Sequence, residues 1–214
     1  MLSKPELFRL FRYKAEQAAA QVHHLPDVEA ALRFAVEICN QKEACRLLAA
    51  GCEADLSPKA RDLCDSRPTK VVAAPDLDQN HYRFLQTQCE ANGHTAVSKH
   101  LRPYVGGIDI GITWAQFGIA ETGTLVIDST DEDLRLATMI SEIHMALLPV
   151  EAIVESAADI EEPLRAMMQA DGNYTAMITG PSRTADIERV LALGVHGPLQ
   201  LYVLTIGNDH VRPQ

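Results

Sequence analysis

Apolar residues recur along this chain with two different periods, and the change falls near residue 69. Before that point the spacing is helical. Ser3, Lys4, Pro5 and Glu6 make a capping-box signature with proline in the first turn. The helix they open is expected to run to about Val22. A second helix is expected after Leu25, Pro26 and Asp27, where Ala31, Phe34, Ala35 and Ile38 form one stripe. Residues 41–68 read as mostly helical, with a break near Gly51.

After residue 69 the pattern becomes short apolar runs separated by amphipathic ones. "TKVVAAP" is a β-branched run stopped by Pro75, and "HTAV", "GIDIGIT", "QFGIA", "TLVI", "IHMALLPV", "YTAMITG" and "LQLYVLTI" are further strands. Between them, "DQNHYRFLQTQCEANG", "DEDLRLATMI", "ADIEEPLRAMMQA" and "TADIERVLALG" read as helices, the second with its acids in the first turn, where the helix dipole favours them. Strands alternating with helices predict an α/β fold, a three-layer sandwich around a largely parallel sheet. The expected division is a helical segment over residues 1–66, packed on a main α/β domain over residues 67–214.

Charge narrows the function classes. The formal net charge is −10 and the pI about 5.2, which argues against nucleic acid as a general partner, because phosphate binding needs a basic surface. No apolar run reaches the length of a membrane span. The N-terminal stretch carries Glu6 and Glu16 and has no signal-peptide pattern, so an ordinary helix and a cytoplasmic protein are expected, the alternative being a transit peptide carrying Arg9, Arg12 and Lys14. The five cysteines, at positions 39, 45, 52, 64 and 89, contain no C-x-x-C and match neither a zinc ribbon nor an iron–sulfur spacing. They read as reduced thiols, and this chain is expected to carry no metal or cofactor. His94 with His100, or Glu142 with His144, read as surface or satisfied groups rather than as metal ligands.

Two stretches are candidates for chemistry. In "FGIAETGTLVIDS", Glu121 ends a run that otherwise reads as buried strand. Period two places Phe117, Ile119 and Glu121 on one face. A lone buried carboxylate is costly, so Glu121 faces water at the strand end, is paired, or is protonated. It is a candidate catalytic base or nucleophile beside the turn of Thr122, Gly123 and Thr124; the alternative is a turn acid that accepts backbone N–H bonds.

The second stretch runs from Gly180 through Pro181, Ser182, Arg183 and Thr184 into an expected helix ending at Gly194. A helix N-terminus offers free N–H groups to a small carboxylate or other anion, and Arg183 adds a forked cation. The alternative has the hydroxyls capping the helix and Arg183 pairing with Asp186. Both stretches are expected to line one pocket outside the carboxyl ends of the strands, with His196 at its edge.

The segments "GITWAQFGIAETGTLVI", "SEIHMALLPV" and "ITGPSRTADIERVLALGVHGP" closely resemble the lactate utilization protein C family of LUD-domain proteins, over about residues 71–206. Trp114 and Gln116 stand where that family's pattern favours a smaller residue and often an acid. The resemblance implies a fold like that of ribose-phosphate isomerases, glucosamine-phosphate deaminases and CoA transferases. It also implies a part in oxidising L-lactate to pyruvate beside two partner proteins that carry iron–sulfur clusters. CoA transferases of this fold use a glutamate before a glycine-containing turn, and Glu121, Thr122 and Gly123 are similar in kind. Two readings follow: a subunit of a lactate-oxidising dehydrogenase complex without a redox centre of its own, or a stand-alone enzyme acting through Glu121 on an acyl or phosphorylated small molecule.

Overall fold

The computed structural model describes residues 2–43, 69–104, 107–169, 172–184, 192–193 and 197–207. The stretch expected to break near Gly51, and Cys45, Cys52, Cys64 and His196, lie outside them.

A six-stranded parallel sheet forms the centre, in the order β1-β12-β7-β4-β2-β3. Its strands are β1 (Gln21–Leu25), β2 (Val71–Ala73), β3 (Thr95–Val97), β4 (Ile108–Trp114), β7 (Ser141–Pro149) and β12 (Gln200–Ile206). The middle strands are buried on both faces, which is why β4, β7 and β12 read as near-continuous apolar runs instead of alternating ones.

Helices α2 (Val28–Gln41) and α3 (Gln79–Ala91) cover one face. Their Leu32, Ala35, Leu85 and Cys89 pack on Val72, Ile110, Ile112, Met145 and Leu204 of the sheet. Asp27 and Asp78 cap these helices, accepting from Ala30 N at 2.7 Å and from Asn80 N at 2.9 Å. The other face meets α1 (Lys4–Gln17) and a second, four-stranded sheet of β8 (Ile153–Val154), β5 (Phe117–Ile119), β6 (Thr124–Asp128) and β9 (Thr175–Ile178), in that order. Phe8, Phe11 and Ala15 of α1 share a core there with Leu125 and Ile127 of β6, Ala146 and Leu148 of β7, and Leu201 and Val203 of β12. Helix α4 (Glu132–Ile140) lies against β4 and β7, and α5 (Glu161–Gln169) precedes β9. The architecture is thus the expected α/β sandwich around a parallel sheet.

Two local expectations are corrected. The first helix stops at Gln17 instead of near Val22, and the next five-residue stretch, Gln21–Leu25, is an edge strand paired with β12. Three consecutive alanines favour helix locally, but burying Val22 and completing the parallel ladder outweigh that preference. The second correction concerns the helix expected from Thr184. Arg183–Thr184 (β10) pairs antiparallel with Ala192–Leu193 (β11), so the stretch does not enter a helix at Thr184.

Candidate functional site

The turn around Glu121 joins β5 to β6, and Gly123 takes a φ of +69° to close it, donating its N–H to Ile119 O at 2.9 Å. Glu121 is exposed, and its backbone N–H donates to Glu155 O at 3.0 Å. Among the described residues its carboxylate has neither a hydrogen bond nor an ion pair. The glycine is required by the fold: a Cβ there would lie 2.3 Å from Ala15 N at the end of α1. Gly180, at φ +81°, is seated the same way, with a Cβ position 2.2 Å from Ala18 O. Both signature glycines therefore admit the backbone of α1 and its C-terminal cap, a packing role that "TGT" and "TGP" do not reveal by themselves.

The two stretches touch. β6 and β9 are antiparallel neighbours, and the Thr124 and Thr179 hydroxyls lie 2.6 Å apart, with Thr122 Oγ1 donating to Thr124 Oγ1 at 2.8 Å. The second of them borders a cavity. A space of about 250 Å³ is lined by residues 177–182, by Gly197 and Pro198 ahead of β12, and by Thr138 of α4, His144 of β7 and Leu201 of β12. Glu121, Thr122, Gly123 and Thr124 are not on its wall, whereas Gly180, Pro181 and Ser182 are. It lies beside the amino end of β12 rather than outside the carboxyl ends of the parallel strands.

The anion cradle expected here is not formed by free backbone donors. The Ser182 N–H donates to Pro198 O at 2.9 Å, and Arg183 and Thr184 continue as strand, with Arg183 exposed. No described residue on the cavity wall is charged.

What the wall has instead is His144. It is 1% exposed and stands in the middle of the apolar run of β7. Its Nε2 lies 2.8 Å from Thr113 Oγ1, itself wholly buried on the neighbouring β4. Burial alone pushes the imidazole down to a pKa of about 4, so it is neutral at physiological pH. The signal was present in "EIHMALLPV", where a polar ring interrupts a strand buried on both faces. Of the two alternatives expected for it, a surface group or a satisfied one, His144 is the satisfied one, with Thr113 as its partner. Among the described residues no group of three or more His, Cys, Asp or Glu side chains could hold a metal ion.

Asp76 also carries a buried polar atom, and no sequence motif marks the residue. It follows β2 at the carboxyl end of the sheet, its Oδ2 accepts from Trp114 N at 2.8 Å, and its buried Oδ1 has no partner among the described residues. Desolvation pushes its pKa up to about 6. Gln116, the other departure noted near this turn, accepts from Asp128 N at 2.6 Å and ties the start of β5 to the end of β6. Cys39 and Cys89 are buried free thiols pushed up to about 11 and about 12, which makes them poor nucleophiles.

The LUD domain family model matches residues 9–206. The chain belongs to the LUD domain family. An uncharacterized protein of Neisseria meningitidis serogroup B is 36% identical over 106 residues, 50% of this chain and 46% of that protein. A lactate utilization protein C of Halalkalibacterium halodurans is 32% identical over 128 residues, 58% and 55% of the two chains. A lactate utilization protein B of Shouchella clausii is 23% identical over 228 residues, 90% of this chain and 46% of that one. The LUD chain spans about half the length of the curated relatives it matches. In fold it is similar to the crystal structure of a DUF162 family protein from Deinococcus radiodurans, with a TM-score of 0.57 and 17% identity over 97% of this chain and 100% of that one. Among the described residues of the LUD chain, no helix is long and apolar enough to cross a membrane.

Proposed function

We propose that this LUD protein is a component of a lactate utilization system, without a redox centre of its own, that holds a small carboxylic acid in the cavity beside His144. Oxidation of L-lactate to pyruvate belongs, in this reading, to a cytoplasmic complex whose partners carry the iron–sulfur clusters. Family membership and the names of the relatives support the pathway. The observation that carries the site is the cavity itself. At about 250 Å³ it is smaller than the roughly 300–1,000 Å³ of sites for drug-sized ligands, which suits a metabolite of a few heavy atoms and is too small for a whole coenzyme.

Glu121 has a different place in this reading. It is exposed on a turn that adjoins the cavity wall through Thr124 and Thr179, a position suited to contact with a partner protein. The experiment is genetic and biochemical together. A strain lacking this gene, and lacking any other lactate dehydrogenase, is expected to fail on L-lactate and grow on pyruvate, and the purified chain to contain no stoichiometric iron. Normal lactate oxidation by that strain contradicts the pathway. About one iron per chain contradicts the division of labour.

A further inference from the structure

We infer that the cavity binds its carboxylic acid together with a proton, taken up by His144 as the ligand enters. The inference rests on the reading of the cavity as a small-carboxylate site and adds what supplies the positive charge. A carboxylate moved from water into a partly enclosed space loses part of its hydration, and a site that binds it needs an opposite charge or compensating donors. The described wall has no lysine or arginine, and the Ser182 N–H is already engaged. His144 is the titratable group on that wall.

The surrounding charges are committed elsewhere. On β7 itself, Glu142 pairs with Lys42 at 3.1 Å; on β4, Asp109 pairs with the same lysine at 2.6 Å. On α4, Arg135 donates to Ser129 O and Thr130 O at 2.6 and 2.7 Å. Leu201 is the residue that β12 places opposite His144, and Arg183, beyond the β9 side of the wall, is exposed. None of these charged side chains is on the wall.

Thr113 suits the switch. A hydroxyl can donate to the neutral ring or accept from the protonated one, so the 2.8 Å contact to Nε2 survives the change without rearrangement. Among the described residues Nδ1 has no hydrogen-bond partner, which leaves it to the ligand. The balance is simple: ligand carboxylate, neutral His144 and one proton from solvent give a carboxylate paired with an imidazolium. Burial opposes that charge in the empty cavity, and the carboxylate restores it.

Isothermal titration of the full chain tests this with two probes, sodium L-lactate and the neutral L-lactamide, in two buffers of different ionisation enthalpy between pH 6 and pH 8. L-lactate is expected to take up about one proton, with affinity falling roughly tenfold per pH unit. L-lactamide is expected to bind with no proton uptake and no pH slope. His144→Gln, which keeps a neutral hydrogen-bonding side chain, is expected to retain L-lactamide binding and abolish the proton uptake seen with L-lactate. L-lactate binding without proton uptake by the natural chain overturns the inference and leaves the site reading standing, whatever the variant does. Uptake that persists in a folded His144→Gln protein overturns the assignment to His144. Failure of both probes to bind overturns the inference and the site reading together.

Discussion

The turn at residues 121–124 and the loop at residues 179–182 look alike in sequence, each a threonine and a glycine at a strand end, and they sit side by side in the second sheet. Their environments differ. The first is a hairpin turn whose acid faces water and whose glycine seats the end of α1. The second seats α1 in the same way with Gly180 but also walls a cavity that reaches the buried His144. A shared short motif here reports a shared packing demand, the close approach of a helix backbone. The chemistry is set by what lies behind the motif, on β7 and β4, strands far away in sequence.

The comparison is sharpest where the glycines are filled. Gly123→Ala and Gly180→Ala both force a Cβ into α1 or its cap at a positive φ. Overpacking costs about 1–3 kcal/mol and the left-handed conformation about 1–2 more. Each variant is therefore expected to lose roughly 3 kcal/mol or more in a denaturant titration. If either glycine served only a ligand, its variant would keep full stability and lose binding.

The next effect is smaller per pH unit but has a sign. His144, held at about 4 instead of its usual 6.5, stays neutral in the fold while the unfolded chain protonates. Its contribution is complete above pH 6.5 and is lost as pH falls from there to about 4, a change of about 3 kcal/mol. Asp76, raised from 3.8 to about 6, works the other way: the fold keeps a proton that the unfolded chain releases, so stability falls as pH rises from about 4 to about 6, again by about 3 kcal/mol. The two slopes oppose each other between pH 4 and pH 6. Relative to the natural chain, Asp76→Asn is expected to gain stability at pH 7, where the buried charge is removed, and to show a steeper loss on acidification. His144→Gln is expected to show a shallower one. Parallel pH–stability curves for all three proteins would contradict both assignments.

Thr113→Val comes next. It leaves the Nε2 of His144 without its partner in a buried place, and a cost of about 1–3 kcal/mol is expected by thermal or chemical unfolding, with Thr113→Ser close to neutral. The smallest effect belongs to the other region. Glu121→Gln changes an exposed turn residue and is expected to shift stability by less than about 0.5 kcal/mol. It is also expected to leave L-lactate affinity unchanged. A large loss of affinity in this variant would erase the distinction between the two stretches.

Most of the sheet was legible because its central strands are largely apolar, with β2 followed by Pro75 and β1 by the Asp27 cap of α2. What escaped was decided by partners distant in sequence. The run "AAAQVHHL" is helix-prone by composition, and only pairing with β12 makes its second half a strand. Thr184 reads as a helix start because the sequence after it has an amphipathic pattern, yet its backbone pairs with Ala192. Glu121 stands out in sequence as an acid in an apolar stretch, while no sequence motif marks the burial that shifts Asp76 and His144 in opposite senses. Burial cannot be read from a residue's own neighbours in sequence: Asp76 is desolvated by the end of β4, and His144 by β4, α4 and the loop after β9.

The most direct test of the central claim is a crystal structure of the chain grown or soaked with sodium L-lactate. The account predicts density for one molecule between His144 and Ser182, its carboxylate within hydrogen-bond distance of the His144 ring, and none at the turn of residues 121–124. Ligand density at Glu121 with the His144 cavity empty would contradict it.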